Sequence, residues 1–367
     1  MNRTAGMLAV VPFFLGAAVA CTKFGATDAV TADAGDVPDA SSADTLPATL
    51  EHRVYAFGGV TAVPGAVAIK SAYFSNVAVN GDLGPWTRAP ALDDDRFAAA
   101  WVQNGNVLLG ASGVVGGGSL SLEATVGTIP SNPADPATSW SRSANIATGR
   151  NYASAVARGT SIYVSGGRDA KATLPNLERY ENGAWSPAGV LSPGVAGHAT
   201  FLRDSRMYVV GGDRLGTAGP TSSVTMGTFA ETGGALVSFD PAGDLKAPTA
   251  HHAIALVEPW LFSLGGDVSG APVATVTRCT FDVAGVVSCE YLTPLPLKAG
   301  GLAEACAVVS DRTIYLMGGR DSSTAASKAD VYIGRVDSSG IITWTKGPSF
   351  PEGRSAFGCA VSPSSAP

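Results

Sequence analysis

The sequence predicts an all-β protein: six four-stranded antiparallel blades around one axis, a β-propeller whose first blade is completed by the C-terminal strand. Three observations predict it. Gly supplies 45 of 367 residues and charged residues only 15%, against usual shares of about 7% and about 25%, a balance that suits short strands joined by tight turns. An apolar run closing on a small doublet recurs six times. The folded part opens on the second strand of a repeat and ends on the first.

Hydrophobic residues make up 46% of the chain, which excludes wholesale disorder. The 24 basic and 30 acidic residues give a net charge of −6. A nucleic-acid binder would carry a basic field, so no nucleic-acid partner is expected.

The first 20 residues read as a signal peptide. Asn2-Arg3 gives a positive start and Met7 to Ala20 is uncharged, too short for the ~20 residues of a membrane-spanning helix. Ala18-Val19-Ala20-Cys21 fits a signal-peptidase site or a bacterial lipobox, with Ala18 where Leu is usual; a lipidated Cys21 would then begin the mature chain. Residues 25–50 hold five Asp, seven Ala, no Lys or Arg and no aromatic, the composition of a flexible tether. The expectation is an exported lipoprotein of the outer membrane or cell surface, touching the membrane through its lipid only; the alternative is a cleaved, periplasmic or secreted protein.

One propeller is expected over residues 51–367. The doublet runs are VYAFGG (54–59), VLLGA (107–111), IYVSGG (162–167), MYVVGG (207–212), LFSLGG (261–266) and IYLMGG (314–319), with first glycines at 58, 110, 166, 211, 265 and 318 and gaps of 52, 56, 45, 54 and 53. An Ala-rich strand precedes each doublet, as in NYASAVA and HAIALV, and a hairpin follows, as in VTMGTFAETGGALVSF. Trp86, Trp140, Trp185 and Trp344 close four units, and Phe239 and Tyr291 hold that place in the others. Four strands per ~50 residues is the period of a propeller blade. The first doublet lacks its preceding strand, which Arg354 to Val361 supplies from the other end, leaving no open edge.

The aliphatic strand ending in Gly-Gly, then an aromatic, then Trp resembles kelch repeats, over residues 51–362. Copy two departs with Gly110-Ala111, and copies four and five lack the Trp. The resemblance implies ligand sites on the face formed by the loops after the doublets and before the Ala-rich strands. The loops after the doublets carry Arg168, Asp169, Asp213, Arg214, Asp267, Arg320 and Asp321. The strand entrances carry Arg96, Arg150, His198, His251, His252, Glu304 and Arg354. The candidate ligand-binding set takes all of these except His251; as neighbours in a strand, His251 and His252 point to opposite faces and make a poor bidentate metal site. Any single one of them reads first as a local salt bridge or a packed side chain, and the rim as a whole reads as a binding surface.

No Cys-x-x-Cys, His-Glu-x-x-His or Gly-x-Ser-x-Gly is present, so no catalytic residue, metal or cofactor is expected. The run Asp93-Asp94-Asp95 reads as a solvated turn. The leading expectation is a monomeric surface-displayed or periplasmic binding or scaffolding module with a protein or glycan ligand. A structural spacer is a further reading. Six-bladed kelch proteins include a periplasmic N-acetylneuraminate epimerase, so the resemblance also implies a carbohydrate-processing enzyme, with Glu304 as acid/base and Arg150 or Arg354 as carboxylate clamp.

Four cysteines remain beside Cys21. Cys279 and Cys289 stand five residues either side of Ala284 in a hairpin, directly opposite and within disulfide reach. Cys306 and Cys359 hold matching places in two neighbouring Ala-rich strands, either bonded across the ring closure or packed as thiols.

Overall fold

The computed structural model describes residues 52–62, 66–130, 139–214, 219–298, 300–321 and 326–362. The predicted signal peptide, Cys21 and the Asp/Ala-rich segment lie outside them. Among the described residues there is no α-helix, only a short 3-10 turn at Gly116–Gly118. No described helix is long and apolar enough to cross a membrane.

The architecture is that of a β-propeller, with six four-stranded antiparallel sheets among the described residues. In each, strands A to D run from an Ala-rich strand to an outer one. The first sheet joins Gly358–Val361 to His52–Phe57, Ala72–Val77 and Thr87–Ala89. The second holds Ala100–Asn104, Val107–Ala111, Ala124–Thr128 and Ser139–Ser143. The third holds Ser154–Arg158, Ser161–Ser165, Asn176–Glu181 and Ala184–Val190. The fourth holds Ala199–Arg203, Arg206–Val210, Ser223–Phe229 and Leu236–Asp244. The fifth holds Ala253–Val257, Trp260–Leu264, Val276–Phe281 and Val287–Leu292, and the sixth Cys306–Ser310, Thr313–Met317, Val331–Val336 and Ile342–Lys346.

The doublets set the geometry. Both members have positive φ, +57° to +64° at the first and +88° to +104° at the second. The second turns its N–H toward the next sheet. Gly59, Gly113, Gly167, Gly212, Gly266 and Gly319 donate to the carbonyls of Arg96, Arg150, Val195, Thr249, Leu302 and Arg354 at 2.7–2.9 Å. A side chain has no room there: a Cβ on Gly266 would stand 2.8 Å from the Ala250 carbonyl oxygen.

A second set of bonds encircles the axis. Two residues before each strand A comes a positive-φ residue: Ala98, Tyr152, Gly197, His251, Glu304 and Ala356. Each N–H donates to the carbonyl of the one before it, and Ala98 donates to Ala356. The six bonds, of 2.6–3.0 Å, thus close on themselves.

The structure corrects copy two. The left-handed pair there is Ser112-Gly113, not Gly110-Ala111. Corrected first positions are 58, 112, 166, 211, 265 and 318. Gly110 instead makes room for an aromatic, since a Cβ on it would meet the Trp101 ring at 2.3 Å. Ser112 replaces a glycine and uses its hydroxyl, donating to the Ser121 carbonyl and accepting the Arg150 N–H.

The outer aromatics sit on small residues across the hairpin. Trp140 lies over Gly127, Trp344 over Gly334 and Phe239 over Gly227. In the fifth sheet Cys289 holds that place opposite Cys279, and Tyr291, two residues on, is 51% exposed. The Tyr291 assignment is thereby corrected. The disulfide Cys279–Cys289 (Cα–Cα 4.0 Å) stands in for a Gly–aromatic pair.

Strand-B tyrosines bind the hairpin tip of the next sheet. Tyr163, Tyr208 and Tyr315 donate to the carbonyls of Gly234, Gly285 and Gly81 at 2.8–3.1 Å. The last of these joins the sixth sheet to the first. So does the disulfide Cys306–Cys359, with Cα atoms 6.1 Å apart and a sequence separation of 53. Loop-closure entropy gives such a bond about 4 kcal/mol. Non-reducing peptide mapping should recover both crosslinks, and Cys359→Ser should lower unfolding stability by ~2–4 kcal/mol, read as an earlier denaturant midpoint with an unchanged 279–289 crosslink.

Candidate functional site

Each sheet offers the same positions near the axis, and the six sheets fill them differently. The residue after the doublet is Val60, Val114, Arg168, Asp213, Asp267 and Arg320 in turn. The inner positive-φ residue is Ala356, Ala98, Tyr152, Gly197, His251 and Glu304 for the same sheets. The first two sheets therefore present an apolar wall, where Val60, Phe97, Ala98, Val114 and Ala356 cluster with Tyr152 and Ala196. The third to sixth present charge.

The charged half is one connected network. His251 Nδ1 lies 2.9 Å from Asp267 Oδ2. Arg320 donates from Nη2 to that same oxygen at 2.6 Å and from Nε to Glu304 Oε1 at 2.6 Å. Tyr152 meets His251 edge-on, with ring centroids 5.4 Å apart, and the Arg168 guanidinium sits 4.6 Å from the Tyr152 centroid. Gly197 leaves space for the imidazole, because a Cβ would touch His251 Nε2 at 2.3 Å. Above the network opens a pocket of about 420 Å³ lined by Arg168, Asp213, His251, Asp267, Arg320 and the turns at Gly219-Pro220 and Ser269-Gly270.

Burial shapes this chemistry. Glu304 is 1% exposed, and desolvation pushes its pKa up against the pull of Arg320. The network leaves polar atoms over: His251 Nε2, Asp267 Oδ1 and Glu304 Oε2 are buried and have no hydrogen-bond partner. Each unmet donor or acceptor costs roughly 1–3 kcal/mol. Among the described residues no group of three or more His, Cys, Asp or Glu could hold a metal ion.

The remaining sequence candidates lie elsewhere. Arg96, Arg150 and Arg354 are fully buried four residues before strand A and act within their own sheets. Each donates to the carbonyl of a first doublet residue (Ser112, Gly166, Gly58) and to that of a strand-C entrance (Glu123, Asn176, Ser71). Asp94, Glu178 and Glu352 balance their charges. Burial holds the Arg354 pKa down at about 10, still charged at neutral pH, and lowers that of Arg150. A clamp role for Arg150 or Arg354 beside Glu304 is therefore corrected: the cation at Glu304 is Arg320. Asp94 of the acidic run is the partner of Arg96.

His198 and His252 are also fully buried. His198 Nε2 bonds Ser165 Oγ at 2.9 Å, and the His252 ring rests beside Gly211 of the preceding sheet. The axial histidine is His251, which the candidate set omits, and Tyr152 was missed with it. The signal for both was the fixed offset of two residues before strand A. Asp169 is a half-buried loop residue whose carboxylate accepts the N–H groups of Lys171 and Ala172, which lower its pKa. Asp321 is ion-paired with Lys328, and Arg214 stands in a short ribbon with Gly219-Pro220.

No family model matches the chain, and no curated protein matches it. Among solved structures, one titled "Structure of YjhT" matches with a TM-score of 0.58 and 16% identity, over 73% of this chain and 88% of that one. At that identity the likeness shows the fold alone.

The buried histidines make stability depend on pH. Desolvation, with a lesser repulsion between imidazoles, lowers the pKa of His198 and of His252 to about 3. Their folded pKa lies below the unfolded value near 6.5, so their contribution is whole above pH ~6.5 and is lost as pH falls toward 3. At pH 4.5 each should cost on the order of 3 kcal/mol. Urea unfolding of wild type should weaken between pH 7 and 4.5, and His252→Leu should lessen that dependence.

Proposed function

We propose that the chain is a six-bladed propeller of kelch type acting as a binding module, and that its axial mouth takes a hydroxyl-rich ligand of the saccharide class. The two cyclic sets of backbone bonds support the six-blade reading. The observation that carries the ligand reading is the pocket above the network, whose lining of Arg168, Asp213, His251, Asp267 and Arg320 sets hydrogen-bond donors beside acceptors. A saccharide hydroxyl both donates and accepts, so it meets such a mixed set where a plain anion would not. A glycan array on the purified domain, followed by calorimetry on the hit, tests this. Arg168→Ala should weaken binding by ~10-fold or more with unchanged stability, and Arg320→Ala should weaken it likewise with a loss of stability, since it leaves Asp267 and Glu304 uncompensated. Equal binding by both variants would remove the axial mouth from consideration.

A second reading, a carbohydrate-processing enzyme, is favoured by one observation. The bond from His251 to Asp267 fixes one imidazole nitrogen and leaves Nε2 unpartnered, while burial raises the pKa of Glu304. A base and an acid are thus side by side. Ring-opening exchange of a bound sugar, followed by NMR of its anomers, separates the enzyme from the binder.

The exported lipoprotein remains part of the proposal. Two disulfides suit an oxidising compartment. Cys21→Ala should move the protein from the membrane fraction to the soluble one; a variant still sedimenting with membranes would point to another anchor.

A further inference from the structure

The linkers between sheets differ in one place. After each outer strand an apolar residue bonds back to the entrance of the same sheet's third strand: Leu92, Ile146, Leu191, Leu245, Leu295 and Phe350. Three residues then separate it from the residue four before the next strand A. Between Leu295 and Leu302 there are six, including Pro296, Leu297 and Lys298.

The insertion changes the outer wall. In three other sheets the Trp indole N–H donates across the interface to the preceding linker: Trp86 to Pro348 at 2.8 Å, Trp140 to Pro90 at 3.2 Å and Trp185 to Ala144 at 2.9 Å. The matching Trp344 Nε1 is buried and has no acceptor. Beside it lies a cavity of about 380 Å³ between the long linker and the sixth sheet, lined by Trp344, Tyr332 and three lysines, Lys298, Lys328 and Lys346. Lys346 pairs with Asp330 at 2.6 Å and Lys328 with Asp321. Lys298 is exposed and makes no ion pair or hydrogen bond among the described residues.

We infer that this flank cavity is a second binding site, for a carboxylated saccharide residue of the uronate type. An indole with one face on Gly334 leaves its rim to a sugar ring, and Lys298 supplies the cation that two carboxylates have not already taken. The volume lies within the ~300–1,000 Å³ of ligand clefts. The site shares no lining residue with the axial mouth.

The test follows the Trp344 indole ¹⁵N–¹H resonance, assigned with Trp344→Phe, during titration with glucuronate and with glucose. Glucuronate should shift it saturably with a dissociation constant on the order of 1 mM. Lys298→Glu, a surface change, should weaken this by ~10-fold or more, and Arg168→Ala at the axial mouth should leave it unchanged. Three results overturn the assignment: no saturable shift with glucuronate, an equal shift with glucose, or an unaltered titration in Lys298→Glu.

Discussion

The backbone bond from the second doublet residue to the next sheet is the constraint on which this structure depends. It requires two successive left-handed residues at the end of each second strand, a conformation that side chains oppose. Given that turn, the N–H reaches the entrance of the next sheet, and the loop beyond it runs back over the axis. Short strands and plentiful glycine follow from the same requirement. Ser112 shows its limits: the first position tolerates a side chain when the hydroxyl joins the network, whereas all six second positions remain Gly.

The ring is divided by chemistry. The first three sheets lock their loops with a buried Arg on two carbonyls and a carboxylate, and the last three place Val195, Thr249 and Leu302 at that position. Charge at the axis follows a displaced pattern, absent from the first two sheets and present in the other four. The third sheet has both a clamp, Arg150, and an axial cation, Arg168. Loop fixation and the lining of the axial pocket are thus carried by different residues, so either can vary without the other. Arg320 is the exception, since it is bonded to two acidic residues and also lines the pocket. Removing one partner of such a buried set leaves the others uncompensated.

Much of the fold was legible in the sequence because the repeat is a backbone requirement, and glycine records it directly. The C-terminal strand of the first sheet and the 279–289 pair followed from spacing alone. The misplaced doublet at Gly110-Ala111 has a physical cause: two glycines three residues apart serve different ends, one turning the chain and the other seating Trp101. Tyr291 misled for a similar reason, since a disulfide does the work of an aromatic on glycine and leaves no aromatic to find. The site was legible only in part. His251 and His252 are adjacent, and one residue of register decides which faces the axis and which the interface. Arg150 and Arg320 are both charged candidates of the same face, and their burial and bonding separate the clamp from the pocket residue.

Closure of the ring depends on the same devices. A ring of repeats needs its last unit to find its first, and here the strand that does so is only Gly358–Val361. Four residues of pairing are a weak hold. Around them stand the Gly319 bond to Arg354, the Arg354 clamp on Gly58 and Ser71, the Tyr315 bond to Gly81 and the Cys306–Cys359 disulfide. These tie one short strand to both neighbours by backbone, charge and covalent bond. Because Ala356 and Glu304 are successive links of the inner cycle, holding that strand also fixes the floor beneath the axial network. The position of Glu304 against Arg320 thus depends on the C-terminal strand being seated, which places the stability of the closure and the geometry of the mouth under one constraint.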